Sequence, residues 1–311
     1  MSTRAGPAAA RGAWAAGLCY FLWGLVPVYW RQLAAVDAVE LIAHRLVWTA
    51  LFTLVVLGFM RGGWGALRGA LSSRRALGLQ LLSSVLLTAN WLVYVWGVNA
   101  GHIIETSLGY FLVPLLNVGL GRLVLHERLR RLQWLAIGVA AAGVAWQLVL
   151  LGRLPWIALA IAGTFGGYGL LRKQSPLGPL TGLAVESALL APLGLALLAW
   201  RFHTGTGALG GPFALSTQLL VLTTGVVTAG PLLLFAYGAQ RIRLSTLGLL
   251  QYIAPTVQFS LGLLVYHEPF ARERAGSFVL IWTALLLYTV DNVWGQRRTA
   301  FSGGAAPLQR A

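Results

Sequence analysis

Residues 104–127 read IETSLGYFLVPLLNVGLGRLVLHE, and residues 245–268 read STLGLLQYIAPTVQFSLGLLVYHE. The two stretches stand 141 positions apart and align without a gap. Pro114 falls on Pro255, Asn117 on Gln258, Gly121 on Gly262, and His126-Glu127 on His267-Glu268. In both, twelve residues separate the Pro from the Glu. The register runs upstream, with Trp96-Gly97 on Tyr237-Gly238. At an offset of 142, Gly24 falls on Gly166 and Arg31 on Lys173. Similarity at a fixed register over this length is the mark of a duplicated structural unit.

Composition says what the unit is made for. Of 311 residues only 10% are charged and 58% are hydrophobic. A soluble domain carries about 25% charged residues, so an ordinary soluble enzyme and a disordered protein are both excluded. Cys19 is the only cysteine, so an internal disulfide scaffold is excluded too. A helix needs about 20 apolar residues to cross a bilayer core. Ten such segments are expected, near 13–31, 40–60, 76–99, 104–125, 132–151, 155–172, 180–200, 216–239, 245–265 and 276–294. The connections between them are too short for a separate soluble domain. Arg4 and Arg11 precede an apolar stretch, as in a signal peptide. The stretch holds Trp23, Pro27, Tyr29 and Trp30 and no small-residue cleavage site, so it reads as a retained first helix.

The net charge of +15 would suit nucleic acid if it formed a patch. Instead the basic residues stand singly or in pairs between apolar runs, as topology determinants do, and no nucleic-acid partner is expected. With the N-terminus inside, 16 of the 23 fall on inside connections. Arg31, Arg153, Arg201, Arg272 and Arg274 fall outside, and Arg45 and Arg122 lie within spans. The expected architecture is an all-α polytopic membrane protein with both termini cytoplasmic. Residues 1–152 and 153–311 each form a five-helix repeat. Five is odd, so the second repeat enters the membrane from the opposite side, an arrangement found in secondary transporters.

Several motifs resemble one family. They are Tyr20-Phe21-Leu22-Trp23-Gly24, His44-Arg45, Asn90-Trp91, Ser107-Leu108-Gly109-Tyr110-Phe111 and the run RIRLSTLGLLQYIAP from Arg241 to Pro255. Asp291 and Gln296-Arg297-Arg298 complete the set. The chain resembles the RarD group of the EamA branch of the drug/metabolite transporter superfamily, over all but residues 1–12 and 300–311. The resemblance implies a ten-helix inner-membrane carrier for export or exchange of small metabolites or drugs. The group's name is linked to chloramphenicol sensitivity, and the resemblance supplies no substrate. The chain departs from its own repeat at Gly138 and Gly143, whose equivalents are Val279 and Ala284, which predicts looser packing of the last helix.

Residue placement suggests a site. Tyr110, Pro114, Asn117 and Gly121 share one helix face, and Gln251, Pro255, Gln258 and Gly262 share the equivalent one. A mid-span Pro frees a backbone carbonyl, tolerated where something else satisfies it, so Pro114 and Pro255 are expected helix kinks. The other reading is that these residues only kink and pack the helices. The substrate-binding candidates are Tyr110, Asn117, Gln251, Tyr252 and Gln258, with His44, Arg45, Trp48, Asn90, Trp91 and Tyr94. Intramembrane ionisable residues are costly and seldom face lipid. Glu186 and His44 are therefore the candidates for proton coupling, at mirrored depths rather than in contact. Glu40 is expected at the interface, Arg172 and Lys173 on a cytoplasmic connection, and Asp291 as an interface or capping charge. The deep aromatics would stack on a flat or cationic solute, against the alternative that each merely packs.

His126-Glu127 and His267-Glu268 lack the second His of a zinc-protease helix, and no P-loop sequence is present. No metal, cofactor or catalysis is expected; these pairs read as structural or gating residues. Gly163 and Gly167 form a small-xxx-small pair for helix contact, within a monomer or in a homodimer. The expected function is a secondary carrier in a bacterial cytoplasmic membrane, exporting a small-molecule substrate by alternating access, with proton antiport or exchange. The rivals are a channel, a lipid scramblase and a membrane enzyme.

Overall fold

The computed structural model describes residues 7–152, 154–266 and 275–302. His267-Glu268 and the basic residues Arg4, Arg153, Arg272, Arg274 and Arg310 lie outside the described residues. Among the described residues all regular structure is α-helical. The helices are α1 (Pro7–Gln32), α2 (Ala38–Phe59), α3 (Gly63–Ser72), α4 (Arg74–Asn99), α5 (Ile103–Leu123) and α6 (Arg131–Leu151). Then come α7 (Trp156–Gln174), α8 (Pro179–His203), α9 (Leu215–Ala239), α10 (Leu244–Leu250), α11 (Ile253–Leu264) and α12 (Ala275–Ser302).

Local chemistry sets the boundaries. Asp37 caps α2 by accepting from the Glu40 N–H at 3.1 Å, and Ser73 caps α4 by accepting from Ala76 at 3.2 Å. Gly152 ends α6 at φ 67°, a left-handed position that suits Gly. The connection after α2 holds an unexpected helix, α3, which buries Leu67 and Ala70 and leaves Trp64 exposed. The expected ninth span is two helices. Pro255 has no N–H to give the Gln251 carbonyl, and Ala254 N takes that oxygen at 3.1 Å instead. Gln251 N and Tyr252 N turn back to Gly248 and Leu249 at 3.0 and 3.3 Å, tighter than α-helical pairing. Pro114 interrupts nothing of the kind, and α5 runs on through it.

Among the described residues, seven segments are long and apolar enough to cross a membrane: α1, α2, α4, α6, α8, α9 and Leu244–Leu264. The surface is accordingly apolar, with Phe59 89%, Trp14 81% and Val149 79% exposed. This is an integral multi-pass membrane protein. α7 falls below that apolarity because it is enclosed by protein; Phe165, Tyr168 and even Arg172 are buried on it.

Two pairs of contacts have the same form. α7 packs on α5, where a Cβ on Gly166 would lie 2.7 Å from Leu116. α1 packs on α11, where a Cβ on Gly24 would lie 2.7 Å from Val257 Cγ1. Gly24 and Gly166 are 142 positions apart, and Leu116 and Val257 are 141 apart. α5 also meets α10, where Tyr252 donates to the carbonyl of Phe111, its own equivalent, at 3.2 Å. α2 packs on α8, and α6 on α12.

Two expectations about glycine change. Gly163 has open space around it and Gly167 meets only Leu86, so within one chain the closest of these contacts on α7 is made by Gly166. Gly138 also faces open space and its equivalent Val279 is 56% exposed, so that difference costs no packing. Gly143 does touch α12, at the Ser277 carbonyl, and Ala284 is fully buried.

Candidate binding cavity

A cavity of about 420 Å³ lies in one half of the bundle. Trp23, Pro27 and Trp30 of α1 form one wall, and Asn90, Trp91 and Tyr94 of α4 another. Arg45 reaches in from α2 and Tyr110 from α5. Gln251, Pro255 and Gln258 enter from the α10–α11 break and α11. The α1 and α4 positions sit toward the helix ends at Gln32 and Asn99, and Gln251 and Pro255 lie near the middle of the Leu244–Leu264 segment. That half also holds the Tyr29 hydroxyl on the Leu220 carbonyl at 2.7 Å and Gln147 on Ser277 at 2.9 Å. The helix break turns the Gln251 side chain into the cavity, where it is only 4% exposed and its Oε1 has no partner.

The other half is filled. Tyr20 and Phe165 make the cavity floor, and below them Tyr168 stacks on Phe235 with centroids 5.5 Å apart. Glu127 lies further on. Its carboxylate takes Leu244 N at 2.6 Å, Ser245 N at 3.1 Å and Ser245 Oγ at 2.7 Å, fastening α10 by its N-terminus. Lys173 donates to the carbonyls of Ala239 and Ile242 at the end of α9.

Of the candidate residues, the structure gathers Arg45, Asn90, Trp91, Tyr94, Tyr110, Gln251 and Gln258 around this cavity, with Pro255. Asn90 is held firmly: Nδ2 donates to Ile161 O at 3.0 Å and Thr164 Oγ1 at 3.1 Å, and Tyr110 OH donates to Oδ1 at 3.2 Å. Gln258 donates to the Trp23 carbonyl at 3.3 Å.

Five candidates, besides Glu186, lie elsewhere. Asn117 is fully buried where α5 crosses α10, with Gly248 against its Cβ and neither amide atom bonded. It stands two turns beyond Tyr110, roughly 10 Å along the axis, which carries it past the cavity floor. Pro114 lies at the same crossing. Tyr252 points away to Phe111. Trp48 donates to His44 Nδ1 at 3.0 Å, and Gly225 packs on the Trp48 backbone. His44 faces Glu40, with Nε2 3.6 Å from Oε1.

Glu40 is not at an exposed interface. The connection after α8 folds over it, so it is 1% exposed; it accepts from Ala208 N at 2.6 Å and lies 3.7 Å from Arg201. Arg172 is not a connection charge either. It is wholly buried and pairs with Glu186 at 3.3 Å, while also donating to Gln80 and to the Pro179 carbonyl. Gly182 was the available signal, since a Cβ there would come within 2.6 Å of the guanidinium. Asp291 pairs with Arg130 at 3.0 Å.

Glu186 itself is 2% exposed. Its backbone carbonyl accepts from Ser84 Oγ. Tyr168 OH interacts with the carboxylate, yet neither that hydroxyl nor Glu186 Oε1 completes a hydrogen bond of ordinary geometry. A small void of about 10 Å³ joins Glu186 to Ser84, Thr88 and Thr228. Arg45, Leu87, Trp91 and Leu232 line both this void and the main cavity.

Residues 10–149 match the EamA-like transporter family. The chain is 43% identical to Protein RarD of Streptomyces exfoliatus, over 90% of this chain and 88% of that one. It is 39% identical to Protein RarD of Escherichia coli, over 90% of this chain and 94% of that one. It is 44% identical to the uncharacterized transporter YojE of Bacillus subtilis, over 89% and 93% of the two chains. One solved crystal structure superposes with a TM-score of 0.68 over 90% of this chain and 97% of its own; at 20% identity it shares the fold. The matching family and the Bacillus subtilis relative are named as transporters, and the chain is a membrane transporter that belongs to the RarD group of the EamA-like transporter family.

Proposed function

We propose that this protein is a secondary carrier that exports a small organic solute across the bacterial cytoplasmic membrane by alternating access, driven by proton entry. In this reading ten spans form two inverted repeats, 1–152 and 153–311, with both termini cytoplasmic, and the cavity is the substrate site. The observation that carries it is one cavity walled by elements of both halves, open space on one side and packed side chains on the other. The paired contacts Gly166–Leu116 and Gly24–Val257 support an inverted repeat, because an operation that exchanges the halves exchanges these contacts. With the N-terminus inside, the cavity lies in the outer half, so this conformation faces outward. The inner end is then closed by Glu127, Lys173 and the Tyr168–Phe235 stack.

Glu186 is the proton site in this scheme. Protonation would loosen its pairing with Arg172 and let it bond Tyr168. The void between it and Arg45 is about the size of one water, and Ser84, Thr88 and Thr228 offer hydroxyls to relay a proton from the cavity. His44, enclosed by Glu40 and Trp48, has no such opening and takes a supporting role. The test is counterflow in proteoliposomes with a panel of metabolites and antibiotics. A carrier gives saturable, trans-stimulated uptake, whereas a channel or scramblase gives neither. For an identified substrate, an imposed pH gradient should drive wild-type flux and leave Glu186→Gln flux unchanged. Equal responses in the two would remove Glu186 from the coupling.

A further inference from the structure

We propose that Arg45 is the anion-reading group of the cavity, and that the solute is an organic anion with a flat apolar body. The proposal rests on the reading of the cavity as the substrate site and names the class of its ligand. Arg45 is the only charged side chain among the described lining residues. Among the described residues no carboxylate forms an ion pair with it, and Glu186, which shares the small void with it, is already paired with Arg172. Asp37 and Glu40 face Arg201, Glu105 accepts from Ile157 N, Glu127 fastens α10, Glu186 pairs with Arg172 and Asp291 with Arg130.

An arginine can serve only to tie helices together, and Arg172 displays that arrangement, with Gln80, Glu186 and the Pro179 carbonyl around its guanidinium. Arg45 differs. Its one hydrogen bond among the described residues runs from Nε to Thr228 Oγ1 at 3.2 Å. The guanidinium carbon lies 3.7 Å from the Trp91 ring centroid and 4.9 Å from that of Trp30. Stacking of this kind offsets part of the desolvation of the cation and fixes its plane. It also leaves the terminal N–H groups free along the edge, the geometry that grips a carboxylate through two parallel bonds. Gln251, buried with its Oε1 unbonded, supplies a second polar group at the same cavity.

Alternating access sharpens the case. While the cavity is wet, water solvates Arg45. Occlusion removes that water and leaves a cation in a low-dielectric space. A bound carboxylate supplies the missing counter-ion, so the loaded carrier occludes more readily than the empty one. The aromatic walls alone would suit a flat or cationic solute, but the fixed positive charge disfavours the cation.

Three probes on one phenylpropyl skeleton separate the possibilities: 3-phenylpropanoate, 3-phenylpropanamide and 3-phenylpropan-1-amine. Their equilibrium binding is measured on the purified full chain in lipid nanodiscs. The wild type should bind the propanoate at least tenfold more tightly than the amide, and the amine most weakly. Arg45→Gln should lose that tenfold preference, with an intact fold reported by its monodisperse elution and helical circular dichroism; Arg45→Lys should keep part of it. The proposal is overturned if Arg45→Gln retains the preference, if the wild type binds amide or amine as well as the anion, or if it binds none of the three. Trp91→Ala tests the underlying reading separately. It should weaken all three probes together, and an unchanged amide affinity would count against the cavity rather than against Arg45.

Discussion

Arg172 is a fully buried guanidinium that hydropathy and spacing place on a surface connection. The error has a physical cause. A sequence window prices each charge alone, whereas Arg172 is enclosed with Glu186, fourteen positions on, and with Gln80, ninety-two positions back. Glu40 misleads for the same reason, because Ala208 and Arg201 reach it across more than 160 positions. Arg45 and Asn90 were legible, since polar groups deep in an apolar span must face protein or water. The pair itself makes a prediction. Removing one partner of a buried ion pair leaves an uncompensated charge and costs about 3–5 kcal/mol. Arg172→Ala should therefore lower the melting temperature in detergent markedly, whereas Glu186→Gln together with Arg172→Ala should recover part of it. A double variant no more stable than Arg172→Ala alone would mean that Arg172 acts through Gln80 and Pro179 rather than through the carboxylate.

At the scale of elements, apolar length located most helices to within a few residues, as the segment 40–60 became Ala38–Phe59, while α1 starts six residues before the expected 13 and α12 runs eight past the expected 294. Pro spacing could not tell which proline breaks its helix. Pro114 and Pro255 occupy the same register, yet only the second divides a span, because the outcome depends on what packs against each. α5 is braced through Pro114 and Asn117 by α10, while Pro255 borders open cavity. α10 is held at its other end by the Glu127 carboxylate. Hydrogen bonds to a charged group contribute about 1.5–3 kcal/mol each, so losing three of them outweighs the roughly 1.4 kcal/mol that a tenfold population change requires. Glu127→Ala should loosen the sealed end. Cys19 reports this without any engineering, since it is the only cysteine and is fully buried in the packed half. Its labelling by N-ethylmaleimide should be slow in the wild type and at least about tenfold faster in Glu127→Ala. Equal rates would show that the α10 fastening does not hold the inner end closed.

The whole molecule is asymmetric in one respect that an inverted repeat makes meaningful. α5 is continuous, and its counterpart is divided into α10 and α11 at Gln251–Tyr252. If two related halves exchange conformations between the outward and inward states, the division must exchange as well. In the inward state α5 should therefore break at the equivalent positions, Tyr110–Phe111, and α10–α11 should run straight through Pro255. Tyr110 would then turn as Gln251 does here, which carries a cavity wall to the opposite side of the bundle. The hydrogen bond from Tyr252 to Phe111 O lies at the centre of this exchange, so it should reverse its sense, with the Phe111 side joining the backbone of residue 252 by packing alone because Phe has no hydroxyl. In this scheme that chemical difference should make the two states unequal in energy and favour the outward one. Backbone hydrogen exchange on the full chain in nanodiscs tests the whole scheme. In the wild type, where residues 251 and 252 hold only tight-turn pairings to Gly248 and Leu249, their amides should exchange faster than those of 110–111, and in Glu127→Ala that order should reverse. A break that stays at 251–252 in a variant whose Cys19 has become accessible would mean that the inner end opens without the halves trading conformations, and the repeat would then be a fossil of duplication rather than the engine of transport.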